Sequence, residues 1–183
     1  MEWLRHGAQH YPDRICINEY TYNDIYRGVL HVAYNLAPLE VSRVAILSDN
    51  SVTMAMYVLA AILVHKEVLL LNVHLKSNEI ANQLDQLGVI TVLYSKERRN
   101  QLPDAVETQV SNLVAPIVSD SVENQLSHSV GSEAANSIVT IEFETLESIL
   151  SDLAGEDSFD WTFADADIAA IMNTSATTGQ FKS

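Results

Sequence analysis

Apolar residues in this chain alternate between the period of a helix and the unbroken runs of a buried strand. Trp3 to Tyr11 is amphipathic and stops at Pro12, the outline of a short helix. Ile15-Cys16-Ile17 and Tyr20-Thr21-Tyr22 are β-prone runs separated by Asn18-Glu19, which predicts a small hairpin. Thr21 with Asp24 three residues later resembles a capping box. It opens a helix that carries Ile25, Val29, Val32, Ala33 and Leu36 on one face and ends at Pro38.

From Arg43 the pattern changes to Arg43-Val44-Ala45-Ile46-Leu47-Ser48, a run bounded by Asp49-Asn50-Ser51, as expected of a strand buried on both faces. A helix from about Val52 to His65 follows. Next come a strand at Val68–Leu71, a helix at Ser77–Leu87 and a strand at Val89–Tyr94. Strand-helix-strand-helix-strand order predicts parallel pairing through right-handed crossovers, so the fold class is α/β: a largely parallel sheet flanked by helices, with the small hairpin near the N-terminus.

The pattern weakens over 95–137, read as a loop-rich insertion. Within it, Ser119 to Ser137 is rich in serine, asparagine and acid with little periodicity. Order returns with the strand Ile138–Phe143 and with Leu146, Ile149 and Leu150, spaced for a short helix. Ala154 to Asp165 reads as an acidic connector. Asp167 to Met172 ends in an apolar run that reads as a buried strand leading into the final segment.

At 183 residues and 48% hydrophobic, the chain can bury the core of one domain. Its one cysteine, Cys16, lies in an apolar run and reads as a small buried thiol, and no disulfide can form within the chain. The longest apolar run, Met54 to Val64, falls short of the roughly 20 residues a membrane span needs. The N-terminus lacks the features of a signal peptide, so a cytoplasmic location is expected. Net charge is −14 and is unevenly spread: residues 1–99 carry nine basic and ten acidic side chains, whereas residues 100–181 carry fourteen acids and no lysine or arginine. Such an acidic second half repels nucleic-acid phosphates. In sequence, it leaves Lys182 as the one cation near the chain's end.

The candidate chemistry lies in 174–183, Thr-Ser-Ala-Thr-Thr-Gly-Gln-Phe-Lys-Ser. Polyphosphate oxygens need several N–H or O–H donors and a cation on a backbone that can fold closely around them. Thr174, Ser175, Thr177 and Thr178 supply hydroxyls, Gly179 permits a tight bend, and Lys182 supplies a point charge. Walker spacing is absent, and no Gly-x-Gly-x-x-Gly follows any strand, which disfavours a dinucleotide-binding oxidoreductase.

This segment is similar to the Thr-Ser-Gly-Thr-Thr-Gly-x-Pro-Lys-Gly signature of the adenylate-forming acid ligases, the family of acyl-CoA synthetases and luciferases. It keeps Thr174, Ser175, Thr177, Thr178, Gly179 and Lys182 and departs at Ala176, Phe181 and Ser183. Three earlier stretches carry the same resemblance in the same order: Tyr20–Ile25, Ser42–Ser51, and Leu70–Leu75 with Glu79-Ile80 and Gln83-Leu84. Trp3-Leu4 and the Asn72–Leu84 segment are most similar to the branch that serves menaquinone biosynthesis. His74 stands where the family has arginine, and as a lone histidine it reads as structural.

The resemblance implies activation of a small carboxylic acid with Mg-ATP to an acyl-adenylate, then transfer of the acyl group to coenzyme A. The residues from Thr174 to Lys182 would bind the ATP phosphates. The family's adenine-binding and acid-binding segments and its late catalytic lysine have no counterpart in these 183 residues. The expectation is therefore a single incomplete N-terminal domain over 1–183. It would be inactive alone, with no nucleic-acid partner, no membrane span, and sheet edges open to self-association. A degenerate remnant, or a partner-binding α/β module, is the competing reading, and the three departures in the loop favour it.

Overall fold

Thr21 begins the first long helix through the reciprocal bonds that its spacing to Asp24 predicts. The Asp24 N–H donates to Thr21 Oγ1 at 3.2 Å, and the Thr21 N–H donates to Asp24 Oδ2 at 2.9 Å. The computed structural model describes residues 1–103, 106–108, 138–151, 159, 161 and 170–172. An opening helix, α1 (Glu2–His10), is followed by a hairpin of β1 (Ile15–Ile17) and β2 (Tyr20–Thr21), paired antiparallel, and then by α2 (Tyr22–Leu36). Asn18 turns the hairpin at φ 50°, a conformation asparagine tolerates well. Ile25, Val29, Val32, Ala33 and Leu36 are all buried, as the helical spacing predicts.

The sheet is built from β3 (Arg43–Leu47), β4 (Glu67–Leu70), β5 (Thr91–Tyr94), β6 (Val106–Thr108), β7 (Ile138–Glu142) and β8 (Ala170–Met172). Their order is β6-β7-β5-β3-β4-β8, and every adjacent pair is parallel. Helix α3 (Val52–Leu63) links β3 to β4, and α4 (Ser77–Gln86) links β4 to β5 in the opposite direction across the sheet. Right-handed crossovers running in opposite directions must place their helices on opposite faces. Strand β3 shows the result: Val44 and Ile46 join α2 and α3 in one core cluster, whereas Ala45 and Leu47 join Ile80 and Leu84 of α4 in the other. A short helix, α5 (Leu146–Ser151), follows β7 and buries Ile149 on the α2 side.

The structure moves several boundaries. Helix α3 stops at Leu63 because His65 takes φ 55° and the Lys66 N–H closes onto Ala61 O at 2.9 Å, a turn that apolar spacing does not encode. Gly88, at φ 61°, turns the chain out of α4. Val89 then bonds back to Leu84 O and is buried against α4, so β5 starts at Thr91 rather than Val89. A 3₁₀ helix at Lys96–Gln101 and strand β6 fall within 95–137; residues 109–137 lie outside the described residues. In the acidic connector, Trp161 is buried and stacks on Tyr26 at 5.8 Å between ring centroids. Lys66 is buried too. Its Nζ donates to Leu39 O at 2.7 Å and Val41 O at 3.0 Å, which pins the connection between α2 and β3, and burial lowers its pKa.

Candidate functional site

Six parallel strands bring their carboxyl ends to one edge, where open α/β sheets bind ligands. The loops after β3, β4, β5 and β7 meet there. Strand β8 joins them at the flank, with Val68 opposite Ala170, Leu69 opposite Ile171 and Leu70 opposite Met172. The chain therefore leaves Met172 at this edge, beside the end of β4. The predicted phosphate-binding residues Thr174, Ser175, Thr177, Thr178, Gly179 and Lys182, with Ala176, Phe181 and Ser183, lie outside the described residues.

Next to that exit, the loops after β3 and β4 enclose a cleft of about 410 Å³ lined by Ser48, Asp49, Asn50, Asn72 and His74, among others. Its walls are held by short bonds. Ser48 Oγ donates to Asp49 O at 2.9 Å, the His74 N–H donates to Asn72 Oδ1 at 2.9 Å, and Gln101 Nε2 donates to Val73 O at 2.8 Å. Arg98 Nε donates to Asp49 Oδ2 at 2.9 Å, and a second guanidinium nitrogen closes the fork on Oδ1. The fold brings Arg98 to this edge already paired with a carboxylate. The pair is exposed enough to add little stability, so its contribution is to order two loops.

A second crevice, about 320 Å³, opens between the loop after β3 and those after β5 and β7. Successive connections diverge here, because β3 leads toward β4 while β5 lies on the other side of β3. Glu144 lines it and is held by four partners. His31 Nε2 lies 3.0 Å from its carboxylate, Asn35 Nδ2 donates to Oε1 at 2.8 Å, and Ser148 Oγ donates to Oε2 at 3.3 Å; its own N–H donates to Tyr57 Oη at 3.0 Å. The hydrogen bond from His31 holds the Glu144 carboxyl below the usual carboxylate range, against burial, which pushes it up. Burial raises the Tyr57 hydroxyl, which stays neutral. Nothing in the sequence signals this network, because His31 and Glu144 are 113 positions apart.

The Glu144 network fastens α2 to the β7–α5 connection and has a defined pH signature. Since folding lowers the Glu144 pKa from 4.5, its stabilisation is fully present above that pH and is lost as pH falls through the folded value. Glu144→Gln is expected to cost about 1–3 kcal/mol at pH 7, the range for hydrogen bonds to a charged group. It should cost progressively less in acid, so that urea midpoints of the two proteins converge. Parallel curves between pH 7 and pH 3 would count against this assignment.

The remaining candidates are quiet. Cys16 is half-buried, and burial raises its pKa, which keeps the thiol protonated. Among the described residues, no three His, Cys, Asp or Glu converge on one point, and no helix is long and apolar enough to cross a membrane.

The family profile described as AMP-binding enzyme matches residues 4–183. The 2-succinylbenzoate–CoA ligase of Lactococcus lactis subsp. lactis (strain IL1403) is 36% identical over 185 positions, covering 100% of this chain and 33% of that protein. The chain thus spans about a third of that relative's length. Among solved structures, the N-terminal domain of FACL13 from Mycobacterium tuberculosis superposes with a TM-score of 0.70 at 21% identity, over 98% of this chain and 42% of that one. The o-succinylbenzoate coenzyme A synthetase (MenE) of Bacillus subtilis, determined with ATP and magnesium, gives 0.62 at 21% identity, over 98% and 41%. These two likenesses speak for the fold alone.

Proposed function

The chain belongs to the AMP-binding enzyme family, and on that premise we propose that it is the N-terminal part of an AMP-forming acid–CoA ligase acting on 2-succinylbenzoate. The observation that carries this reading is the 36% identity to the Lactococcus ligase along the whole chain. The position of β8 is in keeping with it, because Met172 ends that strand at the carboxyl edge of the sheet, beside β4.

In such an enzyme the substrate carboxylate attacks the α-phosphorus of ATP, presented as its magnesium complex, and the bond to the pyrophosphate breaks. The thiol of coenzyme A then displaces AMP from the acyl-adenylate. Hydroxyls of Thr174, Ser175, Thr177 and Thr178 would hold the β and γ phosphates, Gly179 would let the backbone approach, and Lys182 would neutralise charge gathering on the leaving pyrophosphate. Magnesium would be held by phosphate oxygens and water, in keeping with its preference for oxygen ligands. A cytoplasmic location goes with this reading.

These residues alone offer ATP few contacts, so the 183-residue chain is proposed to be inactive by itself. Reading the gene downstream of codon 183 tests the assignment. An in-frame continuation encoding Tyr-Gly-x-Thr-Glu and a late lysine is expected. An immediate stop would favour the degenerate remnant, to which Ala176, Phe181 and Ser183 already point.

Self-association belongs to the same proposal. Among the described residues, β6 pairs only with β7 and β8 only with β4, so each leaves one side of its ladder open. Sedimentation of the isolated chain is expected to show concentration-dependent assembly. A compact monomer at all concentrations would refute it.

A further inference from the structure

We propose that His6 and His10 on α1 form a surface chelate for a borderline divalent cation, of the class of Ni²⁺, Cu²⁺ and Zn²⁺, separate from any magnesium the ligase chemistry uses. Both side chains are exposed, and at i and i+4 they lie one turn apart on the same helix face. Their rings stack with centroids 4.1 Å apart and 24° between planes. The i, i+4 placement is the one by which two helical histidines grip one metal ion.

The hydrogen bonding prepares one of the two donors. His10 Nδ1 lies 3.0 Å from His6 O, and a carbonyl can only accept, so Nδ1 carries the proton. In the neutral ring, that leaves the Nε2 lone pair free and directed away from the helix. Metal-bound histidines characteristically donate their other N–H to a backbone carbonyl in this way. His6 must turn its exposed ring to bring a nitrogen to the same ion, a rotamer change open to surface side chains on fast timescales. His10 also sits in the last turn of α1, where the helix dipole favours positive charge.

Two imidazoles select the ion. Nitrogen ligands suit nickel, copper and zinc, whereas magnesium and calcium demand oxygen. No third His, Cys, Asp or Glu converges on the pair among the described residues, so water would complete the coordination and copper should bind more tightly than nickel. A bound ion would bridge one turn of α1 and raise the stability of the folded chain.

The test is calorimetric titration of the untagged 183-residue chain with Ni²⁺ and then Cu²⁺ at pH 7.5, beside His6→Gln and His10→Gln. One saturable site is expected, tighter for copper, unaffected by excess Mg²⁺ and weakened at least tenfold in each variant. Both positions are exposed, so the variants should keep the circular dichroism of the parent. Saturating Ni²⁺ should raise the melting midpoint of the parent and leave the variants unmoved. Absence of a saturable site, or undiminished binding by either variant, which would place the ion at another histidine such as His65 or His74, would overturn the proposal.

Discussion

Under the proposed function, acid-dependent formation of AMP by a ligase containing this chain is expected to fall about 10²–10³-fold when Lys182 is replaced by alanine, the scale on which single preorganised charge-stabilising groups act. The reason is where charge moves. As the carboxylate attacks the α-phosphorus, negative charge accumulates on the departing pyrophosphate, and Lys182 is the only lysine or arginine in the last 84 residues of the chain. An ammonium placed there stabilises the transition state more than bound ATP, so kcat should fall more than KM rises. Lys182→Arg keeps the charge but replaces a compact ammonium with a wide planar fork, and an intermediate loss is expected. Steady-state assays of AMP formation separate these outcomes. An unchanged kcat in Lys182→Ala would remove the loop from the mechanism.

Truncating the centre of the sheet should have the largest effect on stability. Ile46 is fully buried and pairs in register with Leu70 on one side and Leu93 on the other. Ile46→Ala removes apolar volume from a strand flanked by neighbours that cannot collapse into the gap, and such changes cost about 2–5 kcal/mol. Against the roughly 5–15 kcal/mol that holds a native domain together, this is a large share. Ile90→Ala is the matched control, since Ile90 is 39% exposed, and its cost should stay below about 1 kcal/mol. Urea denaturation of the two variants should give well-separated midpoints. Equal midpoints would mean that β3 is not the centre of the core.

The contrast between those two isoleucines marks where sequence and structure part. Both lie in apolar runs, and the runs locate β3 and β5 because strands buried on both faces leave an unbroken signature. Yet Gly88 ends α4 so that Val89 packs against that helix and Ile90 reaches the surface, and no periodicity anticipates this. Strand β6 is only three residues long, and its membership of the sheet depends on its partner β7. The capping box at Thr21 was legible because its two partners are three residues apart. The Glu144 network was not, because it joins α2 to a loop 113 positions away. For the proposed phosphate-binding segment, the residue types and their order are local, so the proposal comes from sequence alone. That β8 ends at the carboxyl edge, beside the cleft of Ser48 and Asn72, follows only from its pairing with β4.

On the proposed function, this chain holds the phosphate-binding segment of an AMP-forming ligase and needs the rest of that enzyme to act. Pyrophosphate release from Mg-ATP by the purified 183-residue chain, with 2-succinylbenzoate and coenzyme A present, tests it most directly. No acid-dependent release above buffer is expected. Release that requires the acid and disappears in Lys182→Ala would contradict the claim.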